Sequence, residues 1–332
     1  MADYGKNFVQ LHNHTHYSLL DGASKIPDLA KRAAELEMPA VGITDHGNMH
    51  GAYEMYTNCV ANGVKPIIGI EAYVTPETAR QDKSRVHWGT EAQRRDDVSG
   101  GGLITHLTMW AENDEGLVNL IKASSVANLE GRVMRYPRMD KEVLSTYSKG
   151  VIASSGCPSG IIQTRLRLGQ FDEALRAAGE FQDIFGKDNF FIELMDHGLT
   201  IENQVTDDLL TIAKKLDAPL LATNDSHYVH AEDAGAQDAM LCINSGSRLD
   251  DPDRFKFDGT GYYIKTAEEM RELFKDHPDA CDNTLLIAER CNVMFDDHED
   301  GAFMPQFPCP EGWDETSLFL KKVEEGLEKR YD

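Results

Sequence analysis

The sequence predicts an α/β fold, a barrel of seven strands alternating with helices, on three observations. Seven apolar runs of strand length recur along the first 227 of 332 residues, most of them separated by stretches with helical periodicity. The runs read as apolar on both faces, as strands of a parallel sheet covered by helices do, and strand–helix–strand connections of that kind cross over right-handed. Polar side chains able to bind metals gather where the runs end, and in an α/β barrel all strand carboxyl ends open on one face.

The first run, 9–16, begins apolar and ends in imidazoles. His12 and His14 are two residues apart, so in an extended chain both project from one face and form half a metal site. Asp21 follows in the next turn. A helical pattern over 26–36 stops before Met38-Pro39, and the second run, 40–47, ends on Thr44-Asp45-His46-Gly47. A helix over 48–62, closed by Gly63, leads to the third run, 65–73, with Glu71 near its tip. Residues 76–101 break the rhythm. They are polar, include Arg80, Lys83 and Arg85, end in Ser99-Gly100-Gly101-Gly102, and read as a long mobile insertion, with a basic arm touching a polyanion or a neighbouring domain as the functional alternative.

The fourth run, 102–110, carries His106 in its middle and is followed by a helix over 114–128. The fifth, 150–157, ends on Cys157. The sixth, 189–195, follows a helix over 171–185 and runs into Asp196-His197-Gly198. The seventh, 219–227, follows a helix over 203–216 and repeats the opening spacing with Asp225 and His227.

Composition narrows the function. With 33 Lys+Arg against 56 Asp+Glu the formal charge is -23, which repels polyanions from most of the surface, so contact with phosphate is expected to be local or supplied by metal ions. The six cysteines form no Cys-x-x-Cys pair, and no apolar run is long enough to span a bilayer. The expectation is a reduced cytoplasmic protein with mostly buried free thiols and no membrane partner.

The candidate ligands are His12, His14, Asp21, His46, Glu71, His106, Cys157, Asp225 and His227. Nine are too many for one tetrahedral or octahedral ion and imply a cluster, with Glu71 and Asp225 able to bridge. Five neutral imidazoles, three carboxylates and one thiolate bring a charge of -4. Two divalent ions would leave the cluster neutral, whereas three would leave it near +2 and attractive to phosphate, about what phosphoester hydrolysis asks for. The imidazole-rich, thiolate-containing set leans towards zinc, with manganese or iron as alternatives. His16, His50, His197 and His230 have no paired geometry and read as supporting or surface residues. Asp45 and Asn224 point to the opposite strand face from their neighbours and suit orienting or structural roles.

The order His12-x-His14, Asp21, Thr44-Asp45-His46-Gly47, Glu71, His106, Cys157 and Asp225-x-His227 resembles the PHP (polymerase and histidinol phosphatase) family. That resemblance implies a (β/α)7 distorted TIM-like barrel with a trinuclear metal site. Leu-His-Asn-His-Thr at 11–15, Thr-Asp-His-Gly-Asn-Met-His-Gly-Ala at 44–52, Pro-Ile-Ile-Gly-Ile-Glu-Ala-Tyr-Val at 66–74 and the stretch from Arg254 to Tyr263 are similar to the PHP domains of bacterial DNA polymerase III alpha subunits. On that resemblance residues 1–272 are the PHP domain, and 273–332, including 304–308, are a short helical extension that begins the palm region.

The resemblance further implies a 3′–5′ proofreading exonuclease that uses metal-bound hydroxide, with Asp225, His14 and His46 as catalytic residues. The expected partners are a DNA primer 3′ end, the remaining polymerase domains and replisome components such as the sliding clamp. Two alternatives stand beside it: a silent scaffold that stabilises the polymerase and docks a separate exonuclease, and a small-molecule phosphatase.

Overall fold

The computed structural model describes residues 7–295 and 305–331, so residue 304 of the palm-like stretch lies outside the described residues. The chain divides into two compact units, Met1–Met294 and Phe295–Asp332.

In the first unit seven strands form one curled sheet: β1 (Ala40–Ile43), β2 (Lys65–Val74), β3 (Thr105–Ala111), β4 (Arg138–Met139), β5 (Val151–Ser154), β6 (Phe190–Leu194) and β7 (Leu220–Ala222). Their order is β1-β2-β3-β5-β6-β7, with the two-residue β4 alongside β2. The opening run is not a continuous strand. It bridges both ends of the sheet, pairing Gln10 with Val41 on one side and Asn13 with Ser226 on the other. The Gly42 amide donates to the Gln10 carbonyl at 2.8 Å and the His14 amide to that of Ser226 at 2.7 Å, which closes the distorted barrel. Gly42 allows this close approach, because a Cβ there would stand 2.4 Å from the Leu11 carbonyl oxygen.

The fourth run departs from the parallel expectation. β3 is antiparallel to both β2 and β5, with Tyr73 opposite His106 and Thr108 opposite Ser154. Between β2 and β3 the described chain has no crossover helix, only a 3-10 turn at Glu91–Asp96 and a single helical turn at Ser99–Gly102, and it returns reversed. The reversal puts His106 at the amino end of β3, on the rim where the other strands present their carboxyl ends.

The 76–101 insertion, expected to be mobile, is docked on the barrel. Arg138, fully buried, donates to four backbone carbonyls, those of Gly131 at 3.1 Å, Leu103 at 3.3 Å, Arg80 at 2.8 Å and Asp82 at 2.6 Å. Arg80 meets Asp140, Glu130 and Glu142, and the Arg165 guanidinium lies 3.8 Å from the Trp88 ring centroid. Arg80 and Arg85 are thus turned onto the chain itself, Arg85 donating to the Gly101 carbonyl at 2.5 Å.

At the opposite end Trp110, Val9, Leu11, Ile67, Ile152, Phe191 and Leu221 pack against Leu285, Ile287 and Ala288 of the helix Pro278–Arg290. Burying Leu or Ile side chains there stabilises by about 1.5–3 kcal/mol each. This helix is tied down by Asn283 donating to the Leu220 carbonyl at 2.7 Å and by the Val9 amide donating to Thr284 at 3.1 Å. With that floor sealed, the polar rim is the open end of the barrel. Among the described residues no helix is long and apolar enough to cross a membrane, and the six cysteines are free, five of them buried. The second unit contributes the helix Glu315–Tyr331, started by Asp314, whose carboxylate accepts the Ser317 amide at 2.7 Å.

Candidate metal centre

All nine side chains singled out in the sequence meet at the open rim. His12 and His14 come from the opening segment, and Asp21 from the turn after it. His46 follows β1, Glu71 lies in β2, His106 in β3, Cys157 follows β5, and Asp225 and His227 follow β7. Asp225 has φ +44°, a left-handed conformation that Asp tolerates better than most residues, and its carboxylate lies among the histidines.

Supporting groups decide which ring nitrogen of His12, His14 and His227 is free. His12 Nδ1 lies 2.7 Å from Glu193 Oε1, so Nε2 carries the lone pair when the ring is neutral. Ser18 donates its hydroxyl to Asp45 at 2.6 Å and therefore accepts from His14 Nδ1 at 3.0 Å, again leaving Nε2. His227 Nδ1 is 2.7 Å from the Asp225 carbonyl. His12 Nε2 and His14 Nε2 face each other at 3.3 Å.

The acceptors are also crowded. Glu71 is buried, and neither of its carboxylate oxygens has a hydrogen-bond donor. Its Oε2 approaches His46 Nδ1 at 2.6 Å without hydrogen-bond alignment and His106 Nδ1 at 3.2 Å, while Oε1 is 3.4 Å from His12 Nε2. Asp225 Oδ1, likewise without a hydrogen bond, stands 3.0 Å from His14 Nε2 and 3.4 Å from His12 Nε2. Cys157 Sγ is 3.3 Å from His106 Nδ1, and Asp21 is 2.7 Å from His46 Nε2.

Nitrogen and oxygen donors about 2.0–2.1 Å from one tetrahedral ion stand roughly 3.3–3.4 Å apart. The 3.0–3.4 Å spacings and the orphaned buried carboxylates therefore fit cations better than they fit a hydrogen-bonded network. Among the described residues three overlapping triads bring one ligand atom from each member within 4.8 Å of the others: His14, His46 and His227; His12, His14 and Glu71; and His46, Glu71 and His106.

The charge states agree with a ligand set in part: burial opposes charge on His12 and His46, but Asp225 and Glu193 beside the first, and Tyr73, Glu71 and Asp21 beside the second, raise both well above the ordinary imidazole value, so a bound cation would have to displace those protons. Burial, with His46 and His227 beside it, lowers His14 to about 3, so its imidazole is neutral. Burial opposes ionisation of Glu71 and Asp225, but the histidines around them outweigh it and hold both carboxyls well below the usual range. Burial, reinforced by Glu71 and Asp225, raises the Cys157 thiol well above its ordinary value, and a bound cation is what would make it a thiolate.

Glu193 escaped the sequence reading. It is fully buried, accepts hydroxyl donations from Ser154 and from Thr223, the latter at 2.5 Å, and orients His12. An acidic residue inside the apolar run Phe-Phe-Ile-Glu-Leu was the available signal. Asp45 and Asn224 take the supporting places expected of them: Asp45 accepts from Thr15 and Ser18, and Asn224 donates to the Gly261 and Tyr263 carbonyls. His197 is held by Glu202 at 2.6 Å and stacks on Tyr262.

The PHP domain family model matches residues 10–197. This chain belongs to the PHP domain family. It is 53% identical over 328 residues to DNA polymerase III subunit alpha of Mycobacterium tuberculosis and 53% identical over 332 residues to that of Saccharopolyspora erythraea, in each case over 98% of this chain. The subunit of Borreliella burgdorferi is 39% identical over 332 residues. The PHP chain spans 28% of the length of the first two relatives and 27% of the third.

Proposed function

We propose that residues 1–272 are the PHP domain of a bacterial replicative DNA polymerase alpha subunit, that 273–332 begin its palm region, and that the barrel works as a metal-dependent 3′–5′ proofreading exonuclease. The observation that carries the reading is the Glu71 carboxylate, buried among four histidines with no donor to either oxygen. Its natural partner is a cation.

His12, His14, Asp21, His46, Glu71, His106, Cys157, Asp225 and His227 would hold three divalent ions, zinc by the donor set, with manganese or iron as substitutes. Bound there, such ions activate a water and neutralise the charge of a phosphodiester in displacement. The protein's own part is positional. Glu193 and Ser18 fix the rings of His12 and His14, Glu71 and Asp225 supply negative charge between the triads, and the sealed floor leaves one approach from the open rim. Asp225, His14 and His46 are the proposed catalytic residues because each belongs to or touches more than one triad. A cationic cluster also reconciles a DNA substrate with the formal charge of -23. The DNA primer 3′ end, the rest of the polymerase and, through the full-length protein, the sliding clamp are the proposed partners, in the cytoplasm.

The test is degradation of a 5′-labelled primer with a mismatched 3′ end, in zinc or manganese, by the wild type, Asp225→Asn and His14→Ala. Stepwise shortening lost in both variants is the expected result. No shortening by a fully metal-loaded chain, alone and within the full-length polymerase, would favour a scaffold instead.

A further inference from the structure

The cavity above the cluster, about 560 Å³, has two aromatic walls that the chemistry proposed above does not use. On one side Tyr73 lies against His46 with ring centroids 5.8 Å apart and meets Tyr136 edge to face at 5.1 Å. On the other, Phe257 meets His227 edge to face at 4.7 Å and Tyr262 at 4.7 Å. The two walls thus start from His46 and His227, whose own centroids are 6.2 Å apart. All four aromatics are half-buried and line the cavity. Two cations stand at the same mouth: Arg135, whose guanidinium lies 5.4 Å from the Tyr136 centroid and donates to Asn244 at 2.7 Å, and the exposed Lys256 beside Phe257.

Aromatic faces on either side of a cationic, phosphate-attracting centre are what an unpaired nucleotide recognises. Every base has a π-face, so such a slot takes any of them, and Arg and Lys meet the phosphates that follow. The volume is that of a small-molecule pocket rather than a duplex-sized groove.

We propose that Tyr73 and Tyr136 on one wall and Phe257 and Tyr262 on the other clamp the unpaired base of a terminal nucleotide, with Arg135 and Lys256 contacting the adjoining phosphates. This rests on the exonuclease reading for the position of the scissile phosphate and adds to it the means of selection. A mismatched end frays and offers its base to the slot, whereas a paired end holds its base in the helix. If the aromatics only pad the metal-bound histidines, their loss would change metal content and leave base preference untouched.

The probe is a fluorescein-labelled oligothymidylate ending at its 3′ side in thymidine, compared with the same strand ending in an abasic tetrahydrofuran. Binding is read by anisotropy with the zinc-loaded chain, and zinc content is measured in every sample. The wild type is expected to prefer the base-bearing end by roughly 5- to 150-fold, the value of one stacked base. Phe257→Leu and Tyr136→Leu, which keep apolar bulk, are expected to bring the two strands within about twofold while retaining their zinc. Equal binding of both strands by the wild type, or an undiminished preference in both variants, would overturn the proposal. Binding and cleavage separate the two readings: a base preference without primer shortening removes the exonuclease and keeps the clamp, and shortening without a base preference does the reverse.

Discussion

Glu193→Gln is the substitution that most sharply separates a metal centre from a buried polar network. The glutamine keeps the volume of a fully buried side chain and can still accept from Thr223 through its oxygen, while its amide can donate to the Ser154 hydroxyl. What it removes is the negative charge 2.7 Å from His12 Nδ1. Loss of a carboxylate that orients a ligating histidine typically weakens metal binding by about 10- to 100-fold, or about 1.4–2.7 kcal/mol. With metal in excess that energy appears in the folded state by linkage, and for a domain of this size it lowers the melting midpoint by roughly 3–10 °C. The assay is zinc titration against a competing chelator, paired with thermal melts in zinc and in chelator. The expected signature is weaker zinc binding and a melting gap that closes in chelator. An affinity within about threefold of wild type, or a gap that persists unchanged in chelator, would refute the orienting role.

Two further outcomes follow from the rest of the fold. Arg138→Met leaves four backbone carbonyls without their donor at an expected cost of several kcal/mol, about 1–3 for each one that stays buried, and should expose the 76–104 segment to trypsin; a variant as protease-resistant as wild type would contradict the docking described. Burial opposes charge on Glu77, but Arg176 and Arg165 outweigh it and hold its carboxyl below the usual range. A depressed folded-state value means stabilisation that is complete above the unfolded value, about 4.3, and lost as pH falls through the folded one. Urea midpoints of Glu77→Gln should therefore depend less on pH than those of wild type between about pH 5 and 3, and parallel profiles would count against the ion cluster.

Much of the fold could be read from the chain because its strands are apolar runs with polar ends. Helices expected over 26–36, 114–128 and 171–185 are found as Ile26–Glu35, Asp114–Glu130 and Phe171–Phe185. Most of the candidate ligands are legible for the same reason, a His, Asp, Glu or Cys closing an apolar run, whereas His106 lies inside its run and Asp21 in a turn. The remainder depends on partners far away in sequence. The reversal of β3 leaves no periodic trace, since a reversed strand has the same alternation as a forward one. Residues 76–101 look mobile because the groups that hold them, Arg138, Arg165 and Gln170, lie tens of positions downstream. Glu193 sits within a strand and not at its tip; a carboxylate inside an apolar run is its local trace, and its orienting role depends on His12, far away in sequence. The opening run has the alternation of a strand, but it divides its bonds between β1 and the segment after β7 and forms only isolated bridges.

Anomalous diffraction from a crystal of the zinc- or manganese-loaded chain tests the central claim most directly. The account predicts three peaks, each within ligand distance of side chains drawn from His12, His14, Asp21, His46, Glu71, His106, Cys157, Asp225 and His227. A loaded crystal with no peak at the rim, or with its metal bound to other residues, would contradict it.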